Sequence, residues 1–77
     1  MNLIIDIGNT SRKVAIFDES CIIKQQVFIE LTLDEILSFV SGFAISASII
    51  SSVKEIDDNI QAIISHFNSL FLTHKTA

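Results

Sequence analysis

The chain has 77 residues, 49% of them hydrophobic and 18% charged. That excludes a disordered segment, which needs low hydrophobicity and high charge, and leaves room for one small domain spanning 1–77. Nine acids against five bases give a net charge of −4, and Arg12-Lys13 is the one adjacent Arg/Lys pair, so no basic nucleic-acid surface is expected.

No apolar run nears the ~18 residues that cross a bilayer. No basic cluster precedes Leu3–Ile5 as it would in a secretory leader. The single cysteine, Cys21, cannot make an internal disulfide, which fits a reducing cytoplasmic location. With no proline and two glycines, most of the chain is expected in strand or helix. A chain this short buries only ~60% of the surface its unfolded form exposes, so so apolar a unit is expected to be part of something larger.

Leu3, Ile5 and Ile7 alternate with Ile4 and Asp6 and predict a buried strand. Gly8-Asn9-Thr10-Ser11 is a turn cluster in which Gly and Asn tolerate positive φ. Val14–Phe17 resumes a strand, Asp18-Glu19-Ser20 turns again, and Cys21–Ile29 predicts a third strand, giving an antiparallel meander. Thr32 and Glu35 form a capping box ahead of Leu33, Ile36, Leu37 and Val40 at helical spacing, with Gly42 placed for a left-handed C-terminal cap. Ala44–Ile50 reads as a buried strand ended by Ser51-Ser52.

Ser52 and Glu55 suggest a second capping box, followed by an apolar stripe of Ile56, Ile60, Ile63, Ile64 and Phe67. Leu70–Thr73 predicts a last short strand. The fold class is therefore α/β, with order βββαβαβ: an antiparallel meander, then parallel crossovers, with helices packed on a mixed sheet.

Chemistry concentrates in Asp6-Ile7-Gly8-Asn9-Thr10-Ser11-Arg12-Lys13. A carboxylate at the end of a central strand can hold a hydrated Mg²⁺, which prefers few carboxylates and retained waters. Gly8 removes a side chain where a phosphate must approach the backbone, and successive N–H groups in a tight turn make an anion nest. Thr10 and Ser11 add hydroxyl donors, and Lys13 adds a point charge for a phosphate oxygen. The turn leads into a strand and lacks a Gly-Lys-Ser/Thr ending, so it is not a Walker A loop. The same residues also make a good plain hairpin turn.

Met1–Phe17, MNLIIDIGNTSRKVAIF, resembles the opening of the type III pantothenate kinases, members of the acetate and sugar kinase, heat-shock chaperone and actin superfamily. Ile49-Ile50-Ser51-Ser52-Val53 is similar to a second family segment, although the proline that commonly follows is missing. Thr73-His74-Lys75-Thr76 resembles the stretch just before the family's pantothenate-binding region. The likeness spans the chain but only about the first third of a family member.

It implies a ribonuclease H-like lobe that binds ATP phosphates in coenzyme A biosynthesis. Asp6 would contact a divalent cation such as Mg²⁺ through water, Gly8 to Ser11 would cradle phosphate, and Lys13 would neutralise charge; Ile7 and Arg12 complete the segment. Arg12 is expected on the opposite sheet face, in solvent. The resemblance also implies pantothenate as substrate and a monovalent cation, potassium or ammonium, in the full-length family. It leaves a homodimer open and implies neither nucleic acid nor membrane as partner.

The family's catalytic aspartate has no counterpart here, so no catalytic residue is assigned and the chain alone is expected to be inactive. The alternatives are a non-catalytic regulatory or assembly module of the same fold, or the lobe of a sugar- or acetate-type kinase sharing Asp6 and Gly8.

The remaining chemistry-bearing residues have plainer readings. His66 and His74 lack partners at metal-ligand spacing and are expected to be structural or solvated. Cys21 is expected to be a small buried hydrophobe, and Asp57-Asp58 an exposed first helical turn.

Overall fold

A computed structural model describes residues 1–53, 57–67 and 69–73, and for residues 70–73 the backbone. Five strands and two helices follow in the order β1 Asn2–Ile7, β2 Arg12–Asp18, β3 Cys21–Phe28, α1 Leu33–Phe39, β4 Ala47–Ser52, α2 Asp58–Phe67 and β5 Leu70–Thr73. The expected order βββαβαβ is the observed one. The strands form one mixed sheet, β3-β2-β1-β4-β5. β1 pairs antiparallel with β2 and parallel with β4, so the strand that carries Asp6 is central.

The two-residue period of the strands decides which face is dry. Leu3, Ile5, Ile7, Val14, Ile16 and Ile50 point to one side and pack with Ile36, Phe39, Ile60 and Ile63 of the helices. Ile5, Ile16, Ile36 and Ile50 are fully buried there. On the other side Ile4 and Phe17 are half-buried, while Asp6, Lys13 and Ile49 are exposed. Among the described residues no helix covers that face, an arrangement open to sheets with antiparallel pairs. No helix among the described residues is long and apolar enough to cross a membrane.

Several boundaries differ from expectation for local reasons. β2 starts at Arg12 because the ladder with β1 runs on to Ile7↔Arg12. β4 starts at Ala47, three residues late, because the preceding backbone is used by the chain start. The Met1 ammonium donates to the Ala44 carbonyl at 3.0 Å, and the Ser46 N–H donates to the Met1 carbonyl at 2.8 Å.

Thr32 caps α1 as expected, its hydroxyl accepting from the Glu35 N–H at 3.3 Å. Gly42 has φ of +87°, in a turn closed by the Phe43 N–H donating to the Val40 carbonyl at 2.9 Å. The left-handed residue was foreseen, one turn beyond the helix end.

α2 corrects the second capping box. Ser52 is the last residue of β4 and is fully buried, and Glu55 lies outside the described residues, as does Ile56 of the apolar stripe. The cap is Asp57, whose carboxylate accepts from the Ile60 N–H at 2.8 Å. An acid three residues before the first buried isoleucine satisfies an orphan donor, and it does so closer to the stripe than Ser52 can.

Candidate functional site

Asp6 is the last open-face residue of β1, and the ladders set its neighbours. Lys13 on β2 is directly opposite it, and Ser51 on β4 is its parallel partner. Opposed residues in a sheet share a face, so Lys13, Asp6 and Ser51 form a row across three adjacent strands. Asp6 and Lys13 are exposed and Ser51 is half-buried. Next to the row, a hollow of about 270 Å³ on the open face is lined by Ile4, Asp6, Lys13, Ala15, Phe17 and Ile22, among others.

The loop beyond the row is tight. The Gly8 N–H donates to the Ser11 carbonyl at 2.9 Å, leaving Asn9 and Thr10 as an exposed two-residue connection. Positive φ occurs at Glu19 and Gly42 among the described residues, and at no position from Gly8 to Ser11. The tolerance of Gly8 and Asn9 for positive φ is therefore not used. With its N–H used inside the hairpin, Gly8 is not an anion donor. An added Cβ at Gly8 would meet only the Ser11 carbonyl, at 3.4 Å. Neither backbone angle nor internal packing requires glycine at this position. Among the described residues no hydrogen bond occupies the side chains of Asn9, Thr10 or Lys13.

Two members of the expected segment do other work. Ile7 is a core residue, 2% exposed, and its carbonyl accepts from the Val53 N–H at 3.1 Å. It has no surface to offer a ligand, because period two turns it under the sheet when Asp6 is above it. Arg12 shares that lower face, as expected, but it is not simply solvated. Its guanidinium donates to the Ile29 carbonyl at 3.0 Å, tying β2 to the chain leaving β3.

Ser51 is the residue that reading the sequence underrated as a strand end or helix cap. A signal existed: the isoleucine pairs Ile4-Ile5 and Ile49-Ile50 align in the parallel register, and the next residues are then Asp6 and Ser51.

Among the described residues no three His, Cys, Asp or Glu side chains converge on a metal site. Asp6 therefore stands as a single carboxylate, suited to a cation that keeps most of its waters. A larger hollow, about 350 Å³, lies between β3 and α1 and includes Lys24, Phe28, Phe39, Asp34 and Glu35 in its lining. Its two acids disfavour a phosphate, so size does not identify the site here.

Cys21 is exposed, against the expectation of burial, because it opens the outermost strand beside the Glu19-Ser20 corner. His66 is exposed, with its ring edge-on to Phe67 at 4.8 Å between centroids, in keeping with a structural role. His74 lies outside the described residues. Compared with protein-family models and with curated proteins, the chain matches none.

Proposed function

We propose that this chain is the N-terminal, phosphate-holding lobe of a type III pantothenate kinase, built on a ribonuclease H-like sheet. The observation that carries the reading is the Asp6–Lys13 pairing on the uncovered face, at the mouth of a loop whose glycine has no internal reason to be one. The meander β3-β2-β1 followed by parallel β4 and β5 is in keeping with the lobe.

The donor set fits a magnesium nucleotide. Asp6 orients cation-bound water, Lys13 neutralises a phosphate oxygen, Thr10 and Ser11 donate hydroxyl hydrogen bonds, and Gly8 leaves room. When bound, ATP supplies the transferable phosphoryl group. The contribution of this chain is positioning and charge neutralisation, the main sources of rate in phosphoryl transfer. The acceptor in this reading is the pantothenate hydroxyl.

Calorimetric titration with ATP and Mg²⁺ tests it. Lys13→Ala is expected to weaken binding by about 10- to 100-fold, since a charge-assisted hydrogen bond contributes ~1.5–3 kcal/mol and 1.4 kcal/mol is tenfold. Asp6→Asn is expected to weaken binding with Mg²⁺ and much less without it. Equal affinity of Lys13→Ala and the parent chain defeats the reading. In a pantothenate kinase assay the chain alone is expected to show no turnover above blank.

A further inference from the structure

Ala15 leaves a dent in the open face of the sheet. The ladders set Ile4 on one side of it and Gln25 on the other, with Lys13 and Phe17 before and after it along β2. A methyl group among longer side chains cannot fill its share of the surface, and the hollow of about 270 Å³ stands over it. The two ends of that hollow differ. At one, Asp6 and Lys13 are directly opposed yet make no ion pair with each other, so both charges are open. At the other, Phe17 is half-buried, and Ile22, its neighbour on β3, is 52% exposed. Gln25 stands between the ends, exposed, and among the described residues no hydrogen bond occupies its amide.

We propose that this hollow receives the base of an adenine nucleotide, so that the sheet of this lobe is itself the base platform; the proposal rests on the phosphate reading above. Phosphates held at Lys13 and Asp6 leave the rest of the nucleotide two directions, out to solvent or back along β2. The second is the apolar one. From Lys13 to Phe17 the strand advances roughly 13 Å at ~3.3 Å per residue, within reach of a ribose and base trailing from the phosphate chain. Over Ala15 a flat ring meets only a methyl group, Ile4 and Ile22 wall it in, and the Phe17 ring offers a stacking surface that tolerates any base. Identity then falls to Gln25. A side-chain amide presents a donor and an acceptor side by side, which match the amino group and ring nitrogen of adenine, whereas guanine offers two acceptors on that edge. Charge, apolar floor, amide and aromatic ring thus follow one another in the order of the nucleotide's own groups. A sugar phosphate or acyl phosphate would leave the Phe17 end or the Gln25 amide without a partner.

Calorimetric titrations of the 77-residue chain with ATP, GTP and inorganic tripolyphosphate, each with Mg²⁺, and with adenosine alone test the proposal. The parent chain is expected to bind ATP at least about tenfold tighter than tripolyphosphate and about fivefold tighter than GTP. Phe17→Leu keeps apolar cover and is expected to weaken ATP and adenosine by about fivefold or more, the scale of a base stacked on an aromatic ring, while tripolyphosphate binds as before. Gln25→Ala changes an exposed side chain, leaves the fold intact and is expected to erase the preference for ATP over GTP. Tripolyphosphate that binds as tightly as ATP overturns the proposal and leaves the phosphate reading standing, and equal affinity of the parent chain for ATP and GTP overturns it too. Tripolyphosphate that does not bind at all defeats the phosphate reading instead. Adenosine then decides the base site: binding that Phe17→Leu weakens supports it, and no binding overturns it.

Discussion

The Lys24 ammonium donates to the Phe39 carbonyl at 2.9 Å and sits 4.6 Å from the centre of the Phe39 ring. Phe39 ends α1, where carbonyls lack intrahelical partners, and the last turn of the helix has no basic residue of its own. A lysine from β3 therefore supplies the charge that the helix C-terminus favours and fastens the outermost strand to the helix layer. Lys24→Met keeps most of the apolar stem and removes the charge. It is expected to destabilise the fold by about 1–2 kcal/mol, read as a lower urea midpoint at unchanged slope. An unchanged midpoint would show that the contact contributes nothing net.

The two glycines are expected to respond oppositely to alanine. At Gly42 an added Cβ meets nothing within 4 Å, but φ is +87°, so Gly42→Ala should cost about 1 kcal/mol through backbone strain alone. At Gly8 the angle is ordinary and the nearest contact is 3.4 Å. Gly8→Ala should therefore hold or raise stability by up to ~1 kcal/mol by restricting the unfolded chain, while weakening ATP binding. Thermal melts of both variants decide the first point. A stable Gly8→Ala that binds ATP as the parent does would remove the case for close phosphate approach.

Asp57→Ala removes the acceptor of the Ile60 N–H and is expected to cost 0.5–2 kcal/mol, the usual range for a lost N-cap. Ser52→Ala, by contrast, should leave the helicity of α2 unchanged, because Ser52 belongs to β4. Comparing the far-ultraviolet circular dichroism of the two variants tests the reassigned cap directly.

Ile5 is fully buried on the central strand. Ile5→Val should cost about 0.5–1.5 kcal/mol and Ile5→Ala about 2–5 kcal/mol. Small domains have only ~5–15 kcal/mol in total, so the alanine variant is expected to be partly unfolded at room temperature. Ile4→Ala, one residue away and half-buried on the open face, should cost much less. Chemical denaturation of the three variants gives the contrast, and similar losses at positions 4 and 5 would mean that both faces are covered in solution.

Much of the fold was legible in local pattern. Alternation in Leu3–Ile7 gave the central strand and its two faces, and Thr32 with Glu35 gave the start of α1. What escaped depended on partners distant in sequence. The start of β4 is fixed by Met1 reaching Ala44 and Ser46, and no window around Ala44 contains that fact. Cys21 looks like a core residue by type and is exposed by its place at the sheet edge. At the site, Asp6 and Lys13 could be read from one hairpin. Ser51 needed the parallel register, the burial of Ile7 followed from strict alternation that the motif reading set aside, and for Arg12 the face was legible but its bond to the Ile29 carbonyl was not.

β1 pairs on one side with its immediate successor in the chain and on the other with a strand that arrives only after α1 has been laid down. Loop closure costs entropy before distant contacts return it. The expected folding order is therefore a nascent three-stranded meander that waits for β4. Until the helices settle on that meander, the apolar backs of Leu3, Ile5 and Ile7 stand open to solvent and to other chains. Temporal order would then make the helix that bridges this interval the guard against aggregation, and slowing its formation should lower refolding yield more than final stability.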